Sequence, residues 1–154
     1  MIERSIDGKT GSLQLWVEGA MTDADRKQRG LEDREPDRWN QQIYKVRLMH
    51  QLTYNTDFRN IRNVLVDPEF QVYAIDFSRA FRTQTFLMAE KDLARFSRGA
   101  LDRLAELDEP TLKQKLGRWL QARQISALLK RRDKILALAQ KLVAEKGEAA
   151  VLYP

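Results

Sequence analysis

Apolar residues alternate with polar or bulky ones through "SLQLWVE", where Leu13, Leu15 and Val17 share one face of a predicted strand. The "DGKTG" before it reads as a turn. From Gly19 to Pro36 the chain is polar and charged with almost no apolar period, which predicts a long, mobile loop over 19–36. Asp37 reads as the N-cap of a helix with apolar positions at Trp39, Ile43, Val46 and Met49, ending near Leu52 or Thr53. "NVLVD" and "QVYAID", separated by "PEF", predict an antiparallel hairpin. Everything beyond it is helical in pattern. Leu93, Phe96, Ala100 and Leu104 predict a helix over 91–107, and Asp108 with Pro110 opens a short one that stops between Gly117 and Leu120. A long helix runs from about Ala122 to Lys146, with Gly147 as its stop. Its apolar stripe, from Ile125 to Val143, includes Arg132. A snorkelling side chain and a buried partner for a carboxylate are both open for that arginine.

These elements make one mostly helical α+β domain over 1–154, and the 154 residues at 43% hydrophobic suffice for a single core. Composition removes several chemistries. There is no cysteine, hence no disulfide scaffold and no Cys-ligated metal site, and a reducing compartment suits the chain. His50 is the single histidine, which removes Ser-His-Asp and Cys-His nucleophilic systems and multi-histidine metal sites within this chain. His50 itself is read as a structural residue on the helix before the hairpin. Trp16, Trp39 and Trp119 are read as core residues. No apolar run approaches a membrane span, and "MIERSIDGKTGS" has no apolar signal core, so a cytoplasmic location is expected.

The net charge of +5 is unevenly placed. Between Thr111 and Lys146 there are ten Lys or Arg against Asp133 and Glu145, a local excess of eight that leaves the rest of the chain at −3. A solvated helix face is the commonest explanation of such a run, and an acidic partner surface or, more weakly, a phosphate backbone is the functional alternative. No groove-reading motif or stacking platform points to nucleic acid.

Candidate chemistry lies in Tyr54 to Arg82, "YNTDFRNIRNVLVDPEFQVYAIDFSRAFR". Asp57 precedes the hairpin, Asn63 opens its first strand and Asp76 closes its second. Phosphoryl transfer needs a carboxylate to orient an acceptor hydroxyl and hard oxygen ligands to hold magnesium. A tight hairpin would bring Asn63 beside Asp76. The ordinary alternative is a polar hairpin in which Asp57 caps a turn, Asn63 satisfies loop backbone and Asp76 pairs with Arg79 or Arg82.

The same residues carry a resemblance. "DFRNIRNVLVD" followed by "YAIDFSRAFR" resembles the catalytic and metal-binding loops of the protein kinase-like superfamily, closest in flavour to phosphatidylinositol 3- and 4-kinases and bacterial HipA-like kinases. Twelve residues separate Asn63 from Asp76, as in that family's pattern. "DGKTGSLQLWVEGA" is similar to the strand leading from the small lobe into the large one, and "ALLKRRDKI" to the C-terminal helical part. The resemblance implies the large lobe of a kinase-like fold, with the small lobe's glycine-rich loop and lysine outside these residues. It implies ATP and magnesium as cofactors, Asp57 as the catalytic base or orienting carboxylate, Arg59 and Asn60 as nucleotide contacts, and Asn63 and Asp76 as metal ligands. The acceptor, whether protein, lipid or small molecule, is not implied. Asp57 and Asn63 enclose five residues where the pattern has four: an insertion at Phe58 is the preferred reading, and the alternative is that strict spacing puts Phe58 in the place of the base and leaves no acid there. Two readings follow: a phosphotransferase or its large-lobe portion, weak or inactive as this chain alone, and a noncatalytic kinase-like module that binds a partner through the basic helices.

Overall fold

The computed structural model describes residues 2–13 and 16–154. A hairpin of β1 (Ile2–Ile6) and β2 (Lys9–Leu13) comes first, paired from Ile2 opposite Leu13 to Ile6 opposite Lys9. The expected turn at "DGKTG" narrows to Asp7 and Gly8, both at positive φ, and Lys9 to Gly11 already belong to β2. Leu15 and the side chain of Leu13 lie outside the described residues, and Val17 is not in a strand.

The polar stretch 19–36 is not one long loop. It contains β3 (Met21–Thr22) and α1 (Asp23–Gln28). The Thr22 hydroxyl accepts the Asp25 N–H at 3.1 Å as an N-cap. Arg26 donates to Asp23 at 2.7 Å and lies 4.4 Å from the Trp39 ring centroid. This segment is tied down by a buried ion pair and a cation–π contact, neither of which leaves an apolar period in the sequence.

Helix α2 (Pro36–Thr53) starts one position before the expected cap: Glu35 holds the N-cap, Pro36 is at the first turn, and Asp37 lies inside it. Its buried positions are Leu48, His50, Gln51, Leu52 and Thr53, while Met49 is 47% exposed. The first half of α2 packs on the sheet and the second half on the C-terminal helices, so no single stripe serves both. Tyr54, left-handed at φ 53°, ends the helix.

The predicted hairpin forms as β4 (Val64–Val66) and β5 (Val72–Ala74), with Val64 opposite Ala74 and Val66 opposite Val72. β3 adds to its other side, giving the order β3-β4-β5, all antiparallel. The expected helix over 91–107 is shorter. α3 (Arg98–Ala105) is preceded by β6 (Phe96–Ser97), which pairs in parallel with β7 (Leu152–Tyr153) at the C-terminal end. Leu93 and Phe96 are buried as the spacing requires, but extended backbone buries them as well as a helix would.

The Asp108 carboxylate caps α4 (Glu109–Leu116), accepting the Thr111 N–H at 2.8 Å. The sequence-predicted long helix is α5 (Ala122–Lys146), and a last turn, α6 (Glu148–Val151), follows Gly147. Ile125, Leu128, Ile135 and Ala139 of α5 share one core with Leu48 and Leu52 of α2, Leu104 of α3, Leu112 of α4 and Val151 of α6. The arginine in this core is Arg131, fully buried, and not Arg132. Arg132 sits one position round the helix, reaches the Leu107 carbonyl and pairs with Asp133. Trp16 and Trp119 are 83% and 62% exposed, so of the three tryptophans only Trp39 is partly covered. The fold is thus α+β and mainly helical, with a small antiparallel sheet, and no described helix is long and apolar enough to cross a membrane.

Candidate active site

The site begins where α2 stops. With Tyr54 in the left-handed region, Asn55 N–H returns to the His50 carbonyl at 3.0 Å and the chain reverses. Asn55 is fully buried; its side-chain oxygen accepts the Asp57 N–H at 3.1 Å, and its amide nitrogen lies 3.3 Å from His50 Nδ1. If that nitrogen donates, the neutral imidazole carries its proton on Nε2. The His50 ring stacks on Phe77, centroids 5.4 Å apart and planes 19° from parallel. One buried histidine therefore touches the residue that holds Asp57 and the residue that follows Asp76.

Asp57 is the hub of the loop. Its Oδ2 accepts Asn63 Nδ2 at 2.9 Å and Asn60 Nδ2 at 3.2 Å, and its Oδ1 lies 3.8 Å from Arg79 Nη1. Two successive turns, Asn60 N–H to the Asp57 carbonyl and Asn63 N–H to the Asn60 carbonyl, carry the chain from Asp57 to Asn63. Phe58 swings out, its ring 5.2 Å from the Arg59 guanidinium, into the wall of a cavity beside α1 and α2. Asp57, and not Phe58, thus stands against Asn63.

Ile75 N–H donates to the Asn63 carbonyl at 2.9 Å and extends the β4-β5 ladder by one pair, so Asp76 follows directly on the residue opposite Asn63. Asp76 is itself left-handed at φ 55°, a conformation that aspartate tolerates better than most residues. Its carboxylate accepts the Ser78 N–H at 3.2 Å; hydrogen bonding from the Ser78 side chain first and from this N–H second, helped by the charge of Arg79, holds its pKa below the ordinary carboxylate value. No ion pair joins Asp76 to Arg79 or Arg82: Arg79 approaches Asp57, and Arg82 Nε donates to the Arg79 carbonyl. Backbone bonds lace the two loops together, Thr56 N–H to the Arg79 carbonyl at 3.3 Å and Phe81 N–H to the Thr53 carbonyl at 2.6 Å.

Arg131 reinforces this junction from below. Its Nε donates to the Leu52 carbonyl at 2.8 Å and its Nη1 to the Arg82 carbonyl at 3.1 Å and to that of Gln84, while its guanidinium carbon lies 5.5 Å from the Tyr54 ring centroid. Burial pushes its pKa down to about 10. Sequence reasoning missed Arg131, because nothing in the period separates it from Arg132, and missed Asn55, whose signal was an asparagine directly after a helix end.

The donor set suits a hard cation shared with phosphate. Asn63's amide nitrogen is committed to Asp57, leaving its carbonyl oxygen to accept, and Asp76 brings an ionised carboxylate. Among the described residues no group of three or more His, Cys, Asp or Glu could hold a metal by itself, so phosphate oxygens would have to complete the shell. The nucleotide contacts implied by resemblance divide: Asn60 is bonded to Asp57, whereas Arg59 lies over Phe58 on the cavity side. Compared with protein-family models, curated proteins and solved structures, the chain has no match.

The buried histidine sets a pH dependence. Desolvation lowers the His50 pKa below 6.5, opposed by the charge of Asp57. The unfolded chain therefore binds this proton more readily than the folded one. The contribution is fully present above about pH 6.5 and is lost as pH falls through the unfolded value toward the lower folded one. Urea titrations between about pH 5 and pH 8 should show stability rising with pH, with a shallower slope in His50→Gln.

Proposed function

We propose that this chain carries the large-lobe phosphotransfer site of a kinase-like, ATP- and magnesium-dependent phosphotransferase. One observation supports it above all: the bond between Asp57 Oδ2 and Asn63 Nδ2 at 2.9 Å, which unites a carboxylate and an amide six positions apart on one loop. Asp57 orients the acceptor hydroxyl and takes its proton; Asn60 and Arg79 hold that carboxylate in place. Asn63 and Asp76 would hold magnesium through their side-chain oxygens. The ion supplies charge neutralisation to the nucleotide phosphates. Asn55 and His50 keep the loop in register from the buried side.

A second reading is a noncatalytic kinase-like module that binds an acidic partner. It is favoured by the surface of α4 and α5. Of the ten cationic residues between Thr111 and Lys146, Arg131 is buried and Arg132 half-buried, and the other eight are exposed. One titration separates the two. Under the first, magnesium and ATP together, at millimolar concentration, shift the backbone amide signals of Asn63 and Asp76, and Asn63→Ala or Asp76→Ala abolishes the response. Under the second those signals stay still, while polyglutamate shifts Lys130 and Lys134 in a salt-dependent way.

A further inference from the structure

The cavity into which Phe58 swings has a volume of about 370 Å³ and is closed on one side by α1 and on the other by α2 and the Asp57 loop. That size lies within the range of small-molecule sites. Its apolar lining comes from Trp39, Ile43 and Val46 of α2, Val64 of β4, Ile61 and the Phe58 ring. His50 lines its inner end, an imidazole held toward the neutral form by burial.

The charges are asymmetric. Four cationic side chains, Arg26, Lys27, Arg47 and Arg59, line it against Asp23 and Asp92. Asp23 already takes both Arg26 at 2.7 Å and Lys27 at 3.4 Å. Arg47 and Arg59 are both exposed, and each has an aromatic ring as its neighbour, Tyr44 at 6.0 Å and Phe58 at 5.2 Å. A hollow with an apolar lining, a net positive charge and two arginines not engaged with carboxylates among the described residues selects an organic anion: the body displaces water from the apolar wall and the acidic group meets guanidinium.

We propose that this cavity is a second ligand site, for a small aromatic anion, separate from the Asp57-Asn63-Asp76 site. The occupant would lie against Phe58 and Arg59, the two residues after Asp57, and against His50, which contacts the Asn55 side chain that holds the Asp57 N–H. Binding there would bias the loop that carries Asp57. The site stands on its own lining and does not depend on the phosphotransferase reading.

The test is a titration of the full chain with phenyl phosphate, followed by backbone amide signals, with inorganic phosphate as its anionic half and benzyl alcohol as a neutral aromatic stand-in for the other half. The expected result is saturable binding that shifts Phe58, Arg59 and Val46, at least about tenfold tighter than either half and weakened about tenfold or more by Arg47→Glu with Arg59→Glu. Circular dichroism confirms that this exposed-surface variant is folded, and Arg47→Gln with Arg59→Gln repeats the measurement with charge removed instead of reversed. The proposal is overturned if phenyl phosphate does not saturate, or if inorganic phosphate or benzyl alcohol binds as tightly. It is equally overturned if both double variants bind like the parent, or if the shifts centre on Asn63 and Asp76 and vanish with magnesium and ATP.

Discussion

Replacing Arg131 with methionine is expected to destabilise the fold by about 3 kcal/mol, even though the two side chains are similar in length and a buried charge is removed. Exchanging a buried ion pair for apolar residues can be neutral, because both charged partners leave together. Here the partners are the backbone carbonyls of Leu52, Arg82 and Gln84, which no substitution at 131 can remove. Leu52 is a buried residue, so its carbonyl is left without a donor at a cost of about 1–3 kcal/mol, whereas Arg82 and Gln84 are exposed residues and water replaces part of what their carbonyls lose. Relief of the arginine's desolvation, visible in its lowered pKa, offsets part of this. Arg131→Lys should fall between the parent and Arg131→Met, since an ammonium keeps the charge but cannot span carbonyls on both segments. Urea unfolding gives the magnitude. Amide exchange locates it: faster exchange should appear at Thr56 and Phe81, whose N–H groups bridge the α2 terminus and the segment after Asp76. A Met variant as stable as the parent would mean that water satisfies those carbonyls and that Arg131 does not brace the site.

The second large effect concerns chemistry. Asp57→Asn is expected to lower magnesium-dependent phosphoryl transfer from ATP by about 10²- to 10⁴-fold, the usual worth of a general base. The measurement is a single turnover with protein in excess over labelled ATP, which registers even a slow step. Asparagine keeps the volume of Asp57 and can still offer one oxygen to Asn60 and Asn63, but the negative charge is lost and its other atom becomes a donor on the side of Arg79. Because the Asp57 side chain is 26% exposed, the fold should tolerate the change, with unfolding shifted by about 1 kcal/mol. Equal turnover in parent and variant would remove Asp57 from the role of base. An absence of turnover in the parent would leave the partner-binding reading.

The candidate site was unevenly legible. Asn63 and Asp76 were placed by local rules: two short β-rich runs, "NVLVD" and "QVYAID", with a short connection between them predict a hairpin whose ends meet. Asp57 was suspected, but its register against Asn63 could not be settled by spacing, since a chain can absorb one extra residue in turns or pass it into the hydrogen-bonded position. His50 reads from the sequence as structural and Asn55 is not singled out there, because their importance lies in burial, which a single polar residue does not announce. The mistake at Arg131 and Arg132 has the same origin. Neighbours on a helix differ by about 100° in direction, and only the position of the Leu52 and Gln84 carbonyls decides which of them turns inward.

Elements whose stability is local were determined by the sequence itself: α5 from its long apolar stripe and Gly147, α4 from the Asp108 cap, and the β4-β5 hairpin from two β-rich runs joined by a short turn. What joins distant segments was decided by tertiary structure. α1 exists in a stretch without apolar period because Arg26 is held between Asp23 and Trp39. Phe96 is extended because Leu152, more than fifty residues away, offers it a strand. Asp57 faces Asn63 because two turns, a buried asparagine and an arginine from the far helix hold that loop in one shape. Periodicity encodes which face of an element prefers water, whereas a partner for a charge or a backbone group is specified only once the chain has brought the two together.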